Sequence, residues 1–142
     1  MSEYYFLKSD NRSKMNGLKH LKAAARVEYP QAIYELGLRY IEGNGVKRSV
    51  SKGQKKFTKA LNFGCAEAKY EIGRRLKYGI KYNRDEKLGD QYINEVISNS
   101  NGDKLRNIAF EYYKRKEFET ATFLFDKAFE KGSIVAGNDL AY

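Results

Sequence analysis

The chain of 142 residues contains no tryptophan and only one cysteine (Cys65), one proline (Pro30) and one histidine (His20). Each shortage excludes something. A lone cysteine makes no internal disulfide, which argues against an oxidised, disulfide-held secreted scaffold. One cysteine and one histidine form no cluster at metal-ligand spacing, so neither a metal nor a cofactor is expected. His20 shares a repeat column with Lys56 on a polar helix face and is expected at the surface. Cys65, directly after a glycine that ends a helix, reads as a structural or partly exposed thiol. No second histidine is present to serve as base for a serine or for Cys65, and an enzyme is therefore not expected. Long apolar runs are also missing: nowhere do about 18 apolar residues follow one another. The opening "MSEYYFLKSDNRSK" carries charges where a signal peptide needs an apolar stretch, so the expectation is a soluble, cytoplasmic protein with no membrane segment.

Positive charge and tyrosine are abundant. Lys and Arg number 27 against 18 Asp and Glu, a net charge of +9, and there are twelve tyrosines. Such a surface attracts nucleic acid, anionic lipid or an acidic protein. A chain of this length buries roughly two-thirds of its unfolded surface, enough for a real core. With proline so scarce it can be helical almost throughout.

The strongest signal is self-similarity. "AIYELGLRYIEGNG" at 32–45 is followed 36 positions later by "AKYEIGRRLKYGIK" at 68–81. Ala32, Tyr34, Glu35, Leu36, Gly37, Arg39 and Gly43 fall on Ala68, Tyr70, Glu71, Ile72, Gly73, Arg75 and Gly79. Ser49, Gly53, Phe57, Ala60 and Leu61 fall on Asp85, Gly89, Ile93, Val96 and Ile97, and one step back on Ser13, Gly17, Leu21, Ala24 and Ala25. A third copy keeps the step at Ile108, Ala109 and Tyr112. Beyond it, Ala128, Gly132 and Ala136 follow Ala60, Gly64 and Ala68 by 68, so about four residues are missing from its inter-helix loop. A fixed period of this size means a repeat array.

Each unit reads as two helices. The first is predicted over about Gln31 to Ile41, ended by the left-handed glycines of "GNG" at Gly43 to Gly45. As a lone Gly-x-Gly with no strand before it, "GNG" is a helix stop rather than a dinucleotide loop. Ser49, with Ser13 and Asp85 in its column, suits the N-cap of the second helix. That helix is predicted to bury Val50, Gly53, Phe57, Ala60 and Leu61 and to stop at Gly64. The paired columns Gly37/Gly73 and Gly53/Gly89 cost about 1 kcal/mol each in helix propensity relative to Ala, which close helix approach explains.

These residues resemble the Sel-1-like repeat family, relatives of the tetratricopeptide repeat. The pattern "A-x-Y-x-L-G-x-x-Y-x-x-G-x-G-V" at Ala32 to Val46 carries the resemblance. Lys52-Gly53, Lys59-Ala60 and "G-x-A-x-A" at Gly64 to Ala68 extend it. After Asn99 it weakens, where "SNSNGDKL" replaces the usual ending, and "EYYKRKEFETATFLFDKAFEKG" is closer to an ordinary tetratricopeptide unit. The resemblance implies an all-α solenoid (superhelix) whose concave face binds protein. It further implies an adaptor or, as some small bacterial members look to be, an immunity protein that neutralises a cognate toxin. The paired cysteines of the family's cysteine-rich branch are absent. The expected organisation is a partial repeat at 1–30, repeats at 31–66, 67–102 and 103–135, and the start of a further first helix at 136–142. Solenoid ends without capping helices would be covered by a partner or by self-association, or continue into a longer array.

In tetratricopeptide-like stacks first helices line the groove, which nominates Tyr34, Leu38 and Ile41, then Tyr70, Arg74 and Lys77, then Arg106, Phe110 and Tyr113 as partner-binding residues. Aromatic and cationic side chains of this kind dominate interface energetics. Tyr34 and Tyr70 have an alternative place, packed between adjacent first helices. Lys52, Lys55, Lys56 and Lys59 form a stripe on one face of the second helix. With Lys47, Arg48, Lys19 and Lys22 it is a candidate anion-binding face or a solvated outer surface. Glu35 and Glu71 are expected to pair with Arg39 and Arg75 four residues on. The reading is a non-enzymatic protein-binding module whose partner is an acidic protein, with nucleic-acid binding as the alternative.

Overall fold

In the computed structural model, residues 17–132 are described, and among them there are seven helices and no strand. Helix α1 covers 17–26. It is followed by α2 (Pro30–Glu42), α3 (Val50–Asn62), α4 (Ala66–Tyr78), α5 (Glu86–Asn99), α6 (Gly102–Lys114) and α7 (Phe118–Glu130). The expected cap at Ser13 and the further first helix at 136–142 lie outside the described residues. The chain divides into two compact units, 1–89 and 90–142, with the division falling inside α5.

In the first unit, α2 and α3 form a tight antiparallel pair, and α4 packs against both. Its core is built from Ile33 and Leu36 of α2, Phe57 and Ala60 of α3, and Ala68 and Ile72 of α4, all buried. The glycine columns act as expected. A Cβ on Gly37 would stand 2.8 Å from Phe57 Cδ1, and one on Gly53 would stand 2.8 Å from the Gly37 carbonyl oxygen. On Gly89 it would lie 2.6 Å from the Gly73 carbonyl oxygen. These are helix crossings at near-backbone contact, which no side chain permits. Of the apolar residues predicted to be buried on α3, Val50 and Leu61 are only half-buried.

The loops repeat as closely as the helices. Gly43 and Gly79 end α2 and α4 in the left-handed conformation, each donating its N–H to the carbonyl of the arginine four residues back, Arg39 or Arg75. Ser49 N–H donates to Tyr40 O and Asp85 N–H to Leu76 O, both at 2.8 Å. The Ser49 hydroxyl then accepts from Lys52 N–H (3.2 Å), and Asp85 Oδ1 from Leu88 N–H (3.1 Å). Lys81 occupies the column of Gly45 with φ 60°, and Glu28 that of Gly64 with φ 61°. Both are left-handed without glycine's freedom.

In the second unit α6 and α7 pair closely, burying Leu105, Ile108, Ala109 and Tyr112 against Ala121, Leu124 and Ala128. Their connection, 115–117, is three residues, whereas 43–49 and 79–85 are seven each, so the missing four residues come from this turn. Asn101 caps α6, its Oδ1 accepting from Lys104 N–H at 2.7 Å. Lys131, just after α7, turns its ammonium onto the last carbonyls of α5. It donates to Ser98 O (3.1 Å), Ser100 O (2.8 Å) and Ile97 O, which places a cation at the negative end of that helix.

Candidate partner-binding surface

Four of the nine nominated partner-binding residues are buried. Tyr34 packs its ring against Phe57 with centroids 5.6 Å apart. Ile41 fills the space beside the Gly53 backbone. Tyr70 is also buried, and desolvation pushes its phenol above the ordinary range, with Arg74 nearby opposing the shift. These correct the sequence expectation: the positions beside the packing columns of α2 and α4 belong to the core of the first unit. Both tyrosines are interior, but the ring that Tyr34 meets belongs to α3, a second helix, rather than to an adjacent first helix.

Arg74 is withdrawn for an electrostatic reason. Glu71 is fully buried, and its Oε1 accepts from Arg75 Nε at 2.9 Å and from Arg74 Nη2 at 3.1 Å. A carboxylate without solvent needs cations and donors to remain charged. The expected Glu71–Arg75 pair is present, and Arg74 is drawn inward with it. Arg75 also lies over the Phe57 ring, 5.9 Å from its centroid. Glu35, the repeat counterpart of Glu71, is exposed. Leu38 and Lys77 are half-buried, and Lys77 lies over the exposed ring of Tyr78 (5.7 Å).

In the second unit the nominated residues behave differently. Arg106 is half-buried, whereas Phe110 and Tyr113 are 49% and 53% exposed. Their rings stack with centroids 6.0 Å apart. Phe118, 54% exposed at the start of α7, meets Tyr113 edge-on at 5.5 Å. Lys114 lies over Phe110 at 5.7 Å and pairs with Glu111 at 3.2 Å. The three-residue turn brings Phe118 back beside the end of α6. Sequence reasoning missed Phe118, although the short third loop followed at once by an aromatic residue was the available signal.

The lysine stripe lies where the sequence put it. Lys52, Lys55 and Lys59 are exposed and Lys56 half-buried, with Lys47 and Arg48 exposed in the preceding loop. On α1, Lys19 is exposed and Lys22 half-buried. Lys52 reaches over the Tyr40 ring at 5.7 Å.

Two recesses lie within the first unit. One, of about 620 Å³, is lined by Gln54, Leu76, Gly79, Lys81, Tyr82 and Asn83. Burial pushes the Tyr82 phenol up to about 12; Arg75 lowers and Glu71 adds to the shift. The other, of about 450 Å³ between α1 and α2, has His20, Tyr29, Glu35 and Arg39 in its wall. Cys65 is buried at the N-cap of α4 and donates to Glu67 Oε2 at 3.4 Å. Burial, with the Glu67 charge adding to it, pushes its thiol up to about 11. Such a thiol is inert rather than nucleophilic. Among the described residues no group of three His, Cys, Asp or Glu could hold a metal, and no helix is long and apolar enough to cross a membrane.

The helix pairs define an all-α repeat protein of the α/α solenoid class. A solved structure, a Sel1 repeat protein from Oxalobacter formigenes, is similar over 87% of this chain with a TM-score of 0.61 and 23% identity. The present chain thus has a Sel1-like repeat fold, and it spans about half (52%) of that protein's length. No family model and no curated protein matches the sequence.

Proposed function

We propose that the protein is a non-enzymatic interaction module that binds a partner protein through the aromatic cluster of Phe110, Tyr113 and Phe118. The observation that supports this reading is three contiguous aromatic side chains, each about half exposed, at the turn that joins α6 and α7. Rings held by one another lose little entropy on binding, and such residues form the energetic centres of protein interfaces. The Sel1-like fold accords with such a role.

One compact cluster suits one cognate partner, as an adaptor or an antagonist of a toxin would have. The second unit gives no reason for that partner to be acidic. It carries seven Lys and Arg against nine Asp and Glu, so the positive excess lies elsewhere in the chain.

The test compares the wild-type protein with Phe110→Ala/Tyr113→Ala as immobilised bait in lysate of the source cells. The expected result is one protein captured at near-stoichiometric level by the wild type and at least about tenfold less by the variant, as befits interface centres worth over 1.4 kcal/mol. Both baits should have the same helical circular dichroism, because the two side chains are largely outside the core. Equal capture would remove the aromatic cluster from the binding surface.

A further inference from the structure

The positive charge is not spread over the chain. Residues 1–89 hold twenty Lys and Arg and nine Asp and Glu, a net +11, while residues 90–142 are net −2. Within the first unit it is concentrated again. Between Glu42 and Glu67 there are six cations, Lys47, Arg48, Lys52, Lys55, Lys56 and Lys59, and no carboxylate.

Helix α3 uses one face, Gly53, Phe57 and Ala60, for the core, and turns the four lysines away from it. Their spacing sets Lys52 against Lys55 and Lys56, and Lys59 against the same two, as like-charged neighbours one turn apart. Such pairs destabilise a helix. Lys52 also sits in the first turn, where the helix dipole disfavours a cation. Helices α6 and α7 avoid this by mixing signs, with Lys114 on Glu111 at 3.2 Å and Lys127 on Glu130 at 3.4 Å. A helix face that accumulates uncompensated cations is relieved by a bound polyanion.

The chemistry of the face narrows the polyanion. Lysine ammoniums are hydrated point charges suited to phosphates, and lysine is depleted from the centres of protein interfaces. Insertion into a lipid surface needs an apolar face. Here the exposed side chains among the lysines are Ser51, Thr58 and Asn62, and a single ring, Phe63, lies at the C-terminal end of the row. Lys52 to Lys59 spans about 10 Å at 1.5 Å per residue. That is about three nucleotides of one strand at 3.4 Å each.

We infer that the outer face of α3, with Lys47 and Arg48 leading into it, binds the phosphodiester backbone of nucleic acid without reading its sequence. This site lies in the other unit from the aromatic cluster and does not rest on the protein-binding proposal. Single strands and duplexes share the backbone, and Phe63 distinguishes them, since an exposed ring stacks an unpaired base and has no use for a paired one.

The experiment is fluorescence anisotropy with a labelled 20-base-pair DNA duplex and a 20-nucleotide single strand, both of mixed sequence, from 50 to 300 mM KCl. For the duplex, log K is expected to fall linearly with log salt with a slope of about −4 to −5, from five or so phosphates neutralised. Lys52→Gln/Lys55→Gln/Lys56→Gln/Lys59→Gln is expected to weaken binding at least tenfold at 150 mM and to flatten the slope by about 3. Glutamine keeps the helix, and the single change Lys55→Glu gives the same direction with less risk to folding. Phe63→Ala is expected to weaken single-strand binding alone if the single strand is the ligand, and neither substrate if the duplex is.

Three results would overturn the inference. One is an unchanged slope in the quadruple variant. Another is an equal loss when Lys104, Lys114, Lys116 and Lys127 of the second unit are changed to Gln instead, which would mean general charge attraction. The last is competition by polyglutamate or by vesicles of anionic phospholipid as effective as that by unlabelled DNA.

Discussion

Glu71 holds two arginines on one carboxylate oxygen at full burial, with Arg75 Nε at 2.9 Å and Arg74 Nη2 at 3.1 Å. Removing one partner of such a network leaves the other charges desolvated and uncompensated, which typically costs 3–5 kcal/mol. Glu71→Ala is therefore expected to lower the unfolding free energy by about that amount in urea denaturation. Glu111→Ala, whose pair with Lys114 is solvent-exposed on both sides, is expected to cost under about 0.5 kcal/mol. The Glu71–Arg75 half of the network was legible as an i,i+4 pair recurring at the repeat period. The recruitment of Arg74 was not, because an arginine beside a packing column reads the same whether it faces solvent or turns inward. Burial of Tyr34 and Tyr70 was equally ambiguous in sequence: the ring of Phe57, on the next helix, is what claims Tyr34.

At the scale of the elements the sequence carried most of the fold. The predicted first helix, Gln31 to Ile41, is found as Pro30–Glu42, and the stop at Gly43 is a left-handed cap. Those boundaries were readable because glycine and proline mark them by backbone necessity. The left-handed Lys81 and Glu28 could be located only by their repeat columns, since neither residue type announces that conformation. The glycines inside helices carry the firmest quantitative expectation. Gly→Ala in an exposed helix gains about 1 kcal/mol, but on Gly89 the new Cβ would meet the Gly73 carbonyl oxygen at 2.6 Å and the Lys77 amide nitrogen at 2.7 Å. Backbone cannot swing aside as a side chain does, and overpacking of this kind costs about 1–3 kcal/mol. Gly89→Ala is thus expected to lower the thermal unfolding midpoint. Thermal melts of Gly37→Ala, whose nearest obstacle is the Phe57 ring, should show a smaller loss, because that ring can shift.

For the molecule as a whole, the response to alkali follows from which acids folding has buried. Cys65 is pushed from its ordinary 9.0 to about 11, and Tyr82 from 10.0 to about 12, each chiefly by desolvation; Tyr70 moves the same way. All three lie in the first unit. A group whose folded pKa stands above its unfolded value holds its proton more tightly in the native state. Its contribution is complete below the unfolded pKa and is lost as pH rises through the folded one. Stability from Cys65 should therefore decline between pH 9 and 11, and that from Tyr82 between pH 10 and 12. A difference measurement isolates these groups. Urea unfolding of the wild type and of Cys65→Ser/Tyr82→Phe, taken at pH 7.5 and pH 10.5, shares every other contribution, so the change in the stability gap between the proteins reports the thiol and the phenol alone. The wild type is expected to lose more stability than the variant over that interval. An equal loss would mean that the thiol and the phenol meet solvent in the folded chain, and that the packing around α4 and the loop after it is looser than the burial of Cys65 and Glu71 implies.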